Sequence, residues 1–187
     1  MIRFYHYQLH PQLSLSDFTS IIKNNLSLPL EHVSLSSTTG YLLAEEAAAL
    51  HLEQSLSSLV QDLDYSITFM ISYGDTELAR YLLAQTDILF SKHIWHDYEI
   101  ILHLWKKDDP ICLRLLKQLF AALTREEIDT LHLYLQCTFN ALKASEQLYI
   151  HRNTLQYRLS QIADKTGLDF KEYHNAQLFF LYISLMK

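Results

Sequence analysis

The sequence predicts an α+β protein that is mainly α, with a small N-terminal α/β layer, a helical middle and a C-terminal helix-turn-helix domain. Three observations carry this. Only 3 Gly and 3 Pro interrupt 187 residues of which 49% are apolar, a composition suited to close helical packing. Apolar side chains recur at three- and four-residue spacing through most of the chain, which is the period of an amphipathic helix. Strand-like runs are confined to the first 75 residues. The length allows one or two domains with a sizeable core.

The opening Met1-Ile2-Arg3-Phe4-Tyr5-His6 lacks the apolar core of a signal peptide, and no element is assigned to it. Leu15–Leu26 reads as a helix with Ser14 or Ser16 as its cap. His32–Ser36 and Tyr41–Ala44 then flank Ser37-Thr38-Thr39-Gly40, a β-hairpin pattern. A helix follows over Glu45–Leu63, with Leu52, Leu56, Leu59 and Leu63 at helical spacing. Ser66–Tyr73 is β-rich and closes at Gly74-Asp75. Hairpin, helix, strand and helix make a small α/β layer. Leu28, Leu35, Leu42, Leu56 and Leu63 fall on a seven-residue register, but Pro29 and Gly40 lie within it. No continuous helix can carry those heptads.

Residues 75–125 read as helical throughout. Asp75 to Leu78 opens one helix, Asp97–Trp105 forms a second, and Asp108-Asp109-Pro110 starts a third with Pro in its first turn. Thr124-Arg125-Glu126-Glu127 is a capping box, in which the Thr hydroxyl and the carboxylate three residues on satisfy each other's amides. The expected domains are therefore residues 1–123 and 124–187, joined without a flexible linker.

The second of these carries the chemistry. A short helix over 141–148 aligns Leu142, Ser145 and Leu148, with Ser145 small enough for a close helix crossing. Ile150 falls in the turn as an apolar plug. A second helix, about 152–166, carries Leu155, Leu159 and Ile162 on one face and ends at Gly167, which is free to take a left-handed cap. At about 100° per residue, Asn153, Gln156, Tyr157, Ser160 and Asp164 point away from that face. Asn and Gln can pair bidentately with adenine, Arg with guanine or phosphate, and a Tyr hydroxyl with phosphate. This is what a recognition helix in the DNA major groove requires.

His151-Arg152-Asn153-Thr154-Leu155-Gln156-Tyr157-Arg158-Leu159, then Ile162, then Thr166-Gly167-Leu168-Asp169 resembles the C-terminal helix-turn-helix of the PucR/CdaR family of bacterial transcription regulators. The core Arg152-Asn153-Thr154-Leu155 is also similar to the DNA-binding helix of the Fis protein. The likeness covers roughly residues 128–186 and includes a closing apolar helix at Ala176–Leu185. It implies a DNA-facing or phosphate-contacting set of Arg152, Asn153, Thr154, Gln156, Tyr157 and Arg158. The family usually has Gly-Asn and then a hydroxyl cap before the first helix of the pair. Here the stretch is Phe139-Asn140-Ala141-Leu142. A Phe is strained where positive φ is needed, so the expectation is a shifted start of that helix with Asn140 as its cap. The order of elements in residues 1–75 also resembles the degenerate GGDEF-type, nucleotide-cyclase-like domain that precedes many such helix-turn-helix units. No Gly-Gly-Asp-Glu-Phe string is present, so the resemblance implies sensing or dimerisation rather than catalysis.

Charge agrees in sign. Residues 1–130 hold 9 Lys plus Arg against 17 Asp plus Glu, whereas residues 131–187 hold 6 against 4. The only positive balance, +2, therefore lies with the motif, as phosphate neutralisation wants. It is small, so a homodimer presenting two recognition helices to adjacent half-sites is expected. Thr154 has a second use in satisfying open amides at the helix start, His151 in bonding backbone at the turn, and Arg158 in pairing with an acid inside the domain. His93, His96, His103 and Asp97 have ligand-like residue types, but the helix break between them argues for core and boundary histidines. Cys112 and Cys137 read as buried thiols, not a disulfide. The aromatic stripe Phe170, Tyr173, Phe179, Phe180 and Tyr182 is core or part of a dimer face. No catalytic constellation, metal site or cofactor motif is legible, nor a pocket for a small-molecule effector. Absence of an apolar run of about 18 residues excludes a membrane span, and a cytoplasmic location is expected. Two other classes stay open. One is an interaction or dimerisation module that keeps the helix-turn-helix as scaffold, and the other is a degenerate nucleotide-binding domain in residues 1–75.

Overall fold

Period-two alternation builds the first element. In the computed structural model, which describes residues 2–25, 30–72, 74–89 and 93–185, strand β1 (Ile2–Leu9) sends Tyr5, Tyr7 and Leu9 into a core on one side of a sheet. Phe4, His6 and Gln8 face the other side. The sequence predicts no element for this segment. β1 is the central strand, and His6 on its second face is as buried as Tyr5 on the first, so no clean polar–apolar alternation marks it.

The chain continues through α1 (Leu15–Asn25), β2 (Glu31–Ser34), β3 (Thr39–Glu45), α2 (Glu46–Asp62) and β4 (Ile67–Ser72). These strands lie in the order β2-β3-β1-β4, each antiparallel to its neighbour. That is the β-α-β-β-α-β arrangement of ferredoxin-like folds. Phe18 and Ile22 of α1 and Leu52, Leu56 and Leu59 of α2 cover the face made by Tyr5, Tyr7, Leu42, Ala44, Ile67 and Phe69. Each of the Leu, Ile and Phe side chains among them contributes about 1.5–3 kcal/mol by leaving water. Helix α3 (Glu77–Leu89) leads to β5 (Ile94–His96), which extends the sheet parallel to β4. Next comes α4 (Asp97–Trp105). α3 packs on β1 and β4, and α4 on β4. β4 is buried at every position, which is why it reads as an unbroken β-rich run. The three-residue β5 was also absent from the expectation.

The predicted hairpin forms, but with its turn shifted. Gly40 lies inside β3 opposite Tyr7, and the turn is residues 35–38. A Cβ at Gly40 would overlap the Val33 carbonyl oxygen and the Tyr7 hydroxyl. The glycine makes room for the Tyr7 ring, whose hydroxyl meets His32 Nε2 at 2.7 Å. Leu26, Leu28, Pro29 and Tyr73, named in the sequence reading, lie outside the described residues.

The second half is helical: α5 (Pro110–Phe120), α6 (Arg125–Gln136), α7 (Ala141–Gln147), α8 (Arg152–Thr166) and α9 (Tyr173–Leu185). The chain divides into two compact units, Met1–Cys112 and Leu113–Lys187. The division falls within α5, ahead of the Thr124 cap. Packing explains this: Leu115, Leu116 and Phe120 are buried, with the Phe120 ring against Phe170, Phe179 and Tyr182 at 6.5, 5.6 and 4.5 Å. The aromatic stripe accordingly splits. Phe170 and Phe179 are core, whereas Tyr173 and Phe180 are exposed. Pro110 occupies the first position of α5, and Asp109 accepts from the Cys112 amide at 2.8 Å. Thr124 and Glu127 form the expected capping box. Cys112 and Cys137 are free and buried. Among the described residues, no helix is long and apolar enough to cross a membrane.

Candidate nucleic-acid interface

α7 and α8 are set by their caps. Asn140 Oδ1 accepts from the Lys143 amide at 3.1 Å and starts α7. Ala144 and Ser145 are buried where α7 meets its neighbours, and Ser145 Oγ donates to the Leu142 carbonyl at 2.8 Å. Leu142 itself is 59% exposed, so the buried stripe of α7 runs through its small residues rather than through Leu142. Phe139 precedes the cap at φ 62°. The expected shift of the helix start does not occur: Phe139 takes the left-handed conformation itself, its ring edge-on to Tyr134 at 5.9 Å.

The turn closes with the Tyr149 amide on the Glu146 carbonyl and the Ile150 amide on the Ser145 carbonyl. His151 then caps α8, its Nδ1 accepting from the Asn153 amide at 3.2 Å. This leaves Thr154 free of capping duty. Leu155 and Ile162 are fully buried and Leu159 half-buried, which fixes the inner face of the helix. Gly167 ends it at φ 72°, its amide on the Ala163 carbonyl at 2.7 Å. Thr166 Oγ1 donates back to the Ile162 carbonyl and accepts from the Leu168 amide.

Five of the six residues that the sequence singles out keep access to solvent. Arg152, Asn153 and Thr154 are exposed, Tyr157 is 65% exposed, and Gln156 is half-buried at their flank. Gln156 also lines a cleft of about 210 Å³ with Tyr134, Ser160, Asp169 and Lys171. Ser160 and Asp164 continue the exposed face towards the C-terminus. The sixth, Arg158, is engaged elsewhere. Its Nη2 is 2.7 Å from Glu126 Oε1 and its Nη1 donates to Thr130 Oγ1 at 3.4 Å, with the side chain only 28% exposed. The long Arg stem lets a position on the flank of the apolar stripe reach back to α6. A second bridge ties the end of α8 to the start of α6: Lys165 Nζ contacts both Glu127 oxygens at 2.7 and 2.8 Å. Lys165, with the Thr124 amide, holds the Glu127 carboxyl below its usual range.

Sequence reasoning missed Tyr149. It is 96% exposed at φ 54°, in the turn between α7 and the His151 cap of α8. Turn residues carry no periodicity, so no signal marked it. The histidines of the N-terminal unit are not brought together as ligands. His96 caps α4, Asp97 is buried and accepts from the Tyr98 amide, and His93 lies beside His10 with Nδ1 donating to the Ile67 carbonyl. Among the described residues, no three His, Cys, Asp or Glu side chains converge as a metal site.

Residues 128–185 match the PucR C-terminal helix-turn-helix domain. The chain is 37% identical over 75 residues to the proline-responsive transcriptional activator PutR of Bacillus subtilis (strain 168), covering 40% of this chain and 18% of that protein. It is 41% identical over 56 residues to the carbohydrate diacid regulator of Escherichia coli (strain K12), covering 30% of this chain and 14% of that one. A third likeness runs over 94% of the chain: 23% identity to the uncharacterized protein YxkF of Bacillus subtilis (strain 168), of which it covers 65%. The chain thus spans less than two thirds of each of these relatives.

Proposed function

From the PucR-type helix-turn-helix domain at residues 128–185, we propose that this chain is a sequence-specific DNA-binding transcription regulator that lays α8 in the major groove. One observation carries the reading. A helix held from behind by fully buried Leu155 and Ile162 keeps Arg152, Asn153, Thr154 and Tyr157 exposed and Gln156 half-buried. The side-chain chemistry fits base and phosphate edges. The Asn153 and Gln156 amides match the N6/N7 edge of adenine, and each good bidentate pair discriminates by about 1–3 kcal/mol. The Thr154 and Tyr157 hydroxyls suit phosphate oxygens. Arg152 stands at the first position of α8, where no acidic residue occupies the first turn. A cation there opposes the helix dipole and costs the free helix some tenths of a kcal/mol. With a phosphate at that end, dipole and guanidinium act together.

Arg158 takes a different role, as the clamp that holds α8 to α6 through Glu126 and Thr130. The net +2 of residues 131–187 supports binding as a homodimer, in which two copies of α8 enter adjacent half-sites and double the phosphate contacts. The names of two relatives matched over this segment, a transcriptional activator and a carbohydrate diacid regulator, support regulation of transcription as the outcome of that binding. The N-terminal unit serves dimerisation or sensing, and no catalysis is assigned to it.

Selection of genomic fragments tests the reading. The wild-type chain should enrich discrete sites, and Asn153→Ala should lose them with an unchanged thermal transition. Identical fragment sets from wild type, Asn153→Ala and Arg152→Ala would remove the groove-reading assignment. No enrichment by any of the three would leave the helix-turn-helix as a scaffold for protein contacts.

A further inference from the structure

Tyr149 combines two properties that the fold itself does not use. It is the most exposed of the large apolar and aromatic side chains among the described residues, at 96%. Its backbone is also left-handed, at φ 54°, a conformation that penalises any side chain with a Cβ and favours glycine. The turn needs only its amide, which bonds to the Glu146 carbonyl at 3.1 Å. Any residue but proline supplies that. The phenol has no hydrogen bond or ring contact among the described residues, whereas its neighbours Leu148 and Ile150 line a cleft against α6 with Arg158. Strained conformations of this kind concentrate at binding positions. In the chain, Tyr149 comes just ahead of exposed His151, Arg152 and Asn153, at the start of α8.

We propose that the Tyr149 hydroxyl is a further DNA contact, donating a hydrogen bond to a backbone phosphate at the edge of the groove that α8 enters. The proposal rests on the DNA-binding reading above. Charge supports a phosphate as the acceptor. With 6 basic residues against 4 acidic ones in residues 131–187, and with Arg158 and Lys165 paired to glutamates, cations are scarce at this surface. Neutral donors then have to supply part of the contact to the phosphate chain, as hydroxyls and amides commonly do.

The test is a salt titration of the full chain on a fragment that it enriches, for wild type, Tyr149→Phe, Tyr149→Gly and Arg152→Ala. Loss of a hydrogen bond to a charged oxygen should weaken Tyr149→Phe by about 10-fold or more. Its slope of log K against log salt should stay at the wild-type value, because no cation has been removed. Arg152→Ala should weaken binding and flatten the slope by about 0.9. Tyr149→Gly should bind no better than Tyr149→Phe, yet melt at a higher temperature than wild type, because the strain is relieved and no packing is lost. Wild-type affinity in both Tyr149 variants alongside a weakened Arg152→Ala overturns the Tyr149 contact and leaves the DNA-binding reading standing. Absence of DNA binding by the wild type, or an unaffected Arg152→Ala, overturns that reading and the contact with it.

Discussion

Arg158→Ala separates a clamp from a phosphate ligand. The guanidinium reaches Glu126 at 2.7 Å, but Glu126 is 72% exposed, so the pair is screened and contributes only about 0.5 kcal/mol. The stem matters more. With the side chain 28% exposed, most of its methylenes are out of water, and at about 0.8 kcal/mol per fully buried CH₂ their loss removes roughly 1–1.5 kcal/mol. Alanine returns about 0.2 kcal/mol in helix propensity. The net loss is about 1.5 kcal/mol. For a unit of the size of Leu113–Lys187, this lowers Tm by roughly 6–12 °C. Differential scanning calorimetry of the wild-type and variant chains measures it, and a parallel salt titration on DNA reads the other property. A clamp predicts the lower Tm with an unchanged salt slope. If instead Tm holds and the slope falls by about 0.9, as expected for one lost phosphate contact, the clamp assignment is wrong and Arg158 belongs with Arg152 at the DNA.

Three further outcomes follow from the geometry. A Cβ at Gly167 meets nothing within 4 Å, so Gly167→Ala carries only the conformational penalty of φ 72° and should destabilise the C-terminal unit by about 1 kcal/mol in denaturant titration. Gly40→Ala should be worse, at about 3 kcal/mol or more, because its Cβ overlaps the Val33 carbonyl and the Tyr7 hydroxyl; wild-type stability would contradict the β3 register. Burial, reinforced by nearby Glu99, pushes the Asp97 carboxyl up to about 7. The stability it contributes is therefore present below about pH 4 and is lost as pH rises through 7. His6 runs the other way: burial lowers it to about 4, so its contribution is present above about 6.5 and lost as pH falls through 4. The wild-type profile sums both. The difference between Asp97→Asn and wild type should isolate the first, growing in favour of the variant from pH 4 to pH 8 by up to a few kcal/mol. A pH-independent difference would refute the shift.

α8 was legible because every signal for it is local. Leu155, Leu159 and Ile162 keep one period, and Gly167 marks the end, so Arg152 as first residue and Thr166 as last could be read directly. In α7, Ser145 is buried as its small size implies, but Ala144 does not register in an apolar count, whereas exposed Leu142 does. Phe139 shows a limit of rules drawn from single residues. They disfavour an aromatic at positive φ, but the Asn140 cap and the Tyr134 contact hold it there. β1 escaped notice because both of its faces are buried, so its apolar pattern looks aperiodic. β5 has three residues and pairs only through β4, a partner that local sequence cannot name. At the candidate interface, the residue types were legible but the reach of a long side chain was not. Glu126 lies 32 positions before Arg158, and only the packing of α8 on α6 brings them together. Tyr149 belongs to a turn, where neither period nor propensity distinguishes a structural aromatic from an exposed one.

In the proposed function, α8 meets DNA through its N-terminal turn. Salt dependence of binding by wild type and Arg152→Ala between about 50 and 200 mM, on fragments selected by the wild-type chain, tests it most directly. Saturable binding is expected, with a log–log slope steeper for the wild type by about 0.9 per copy of α8 engaged. Equal slopes and equal affinities would contradict it, and would turn the exposed face of α8 into a surface for some other partner.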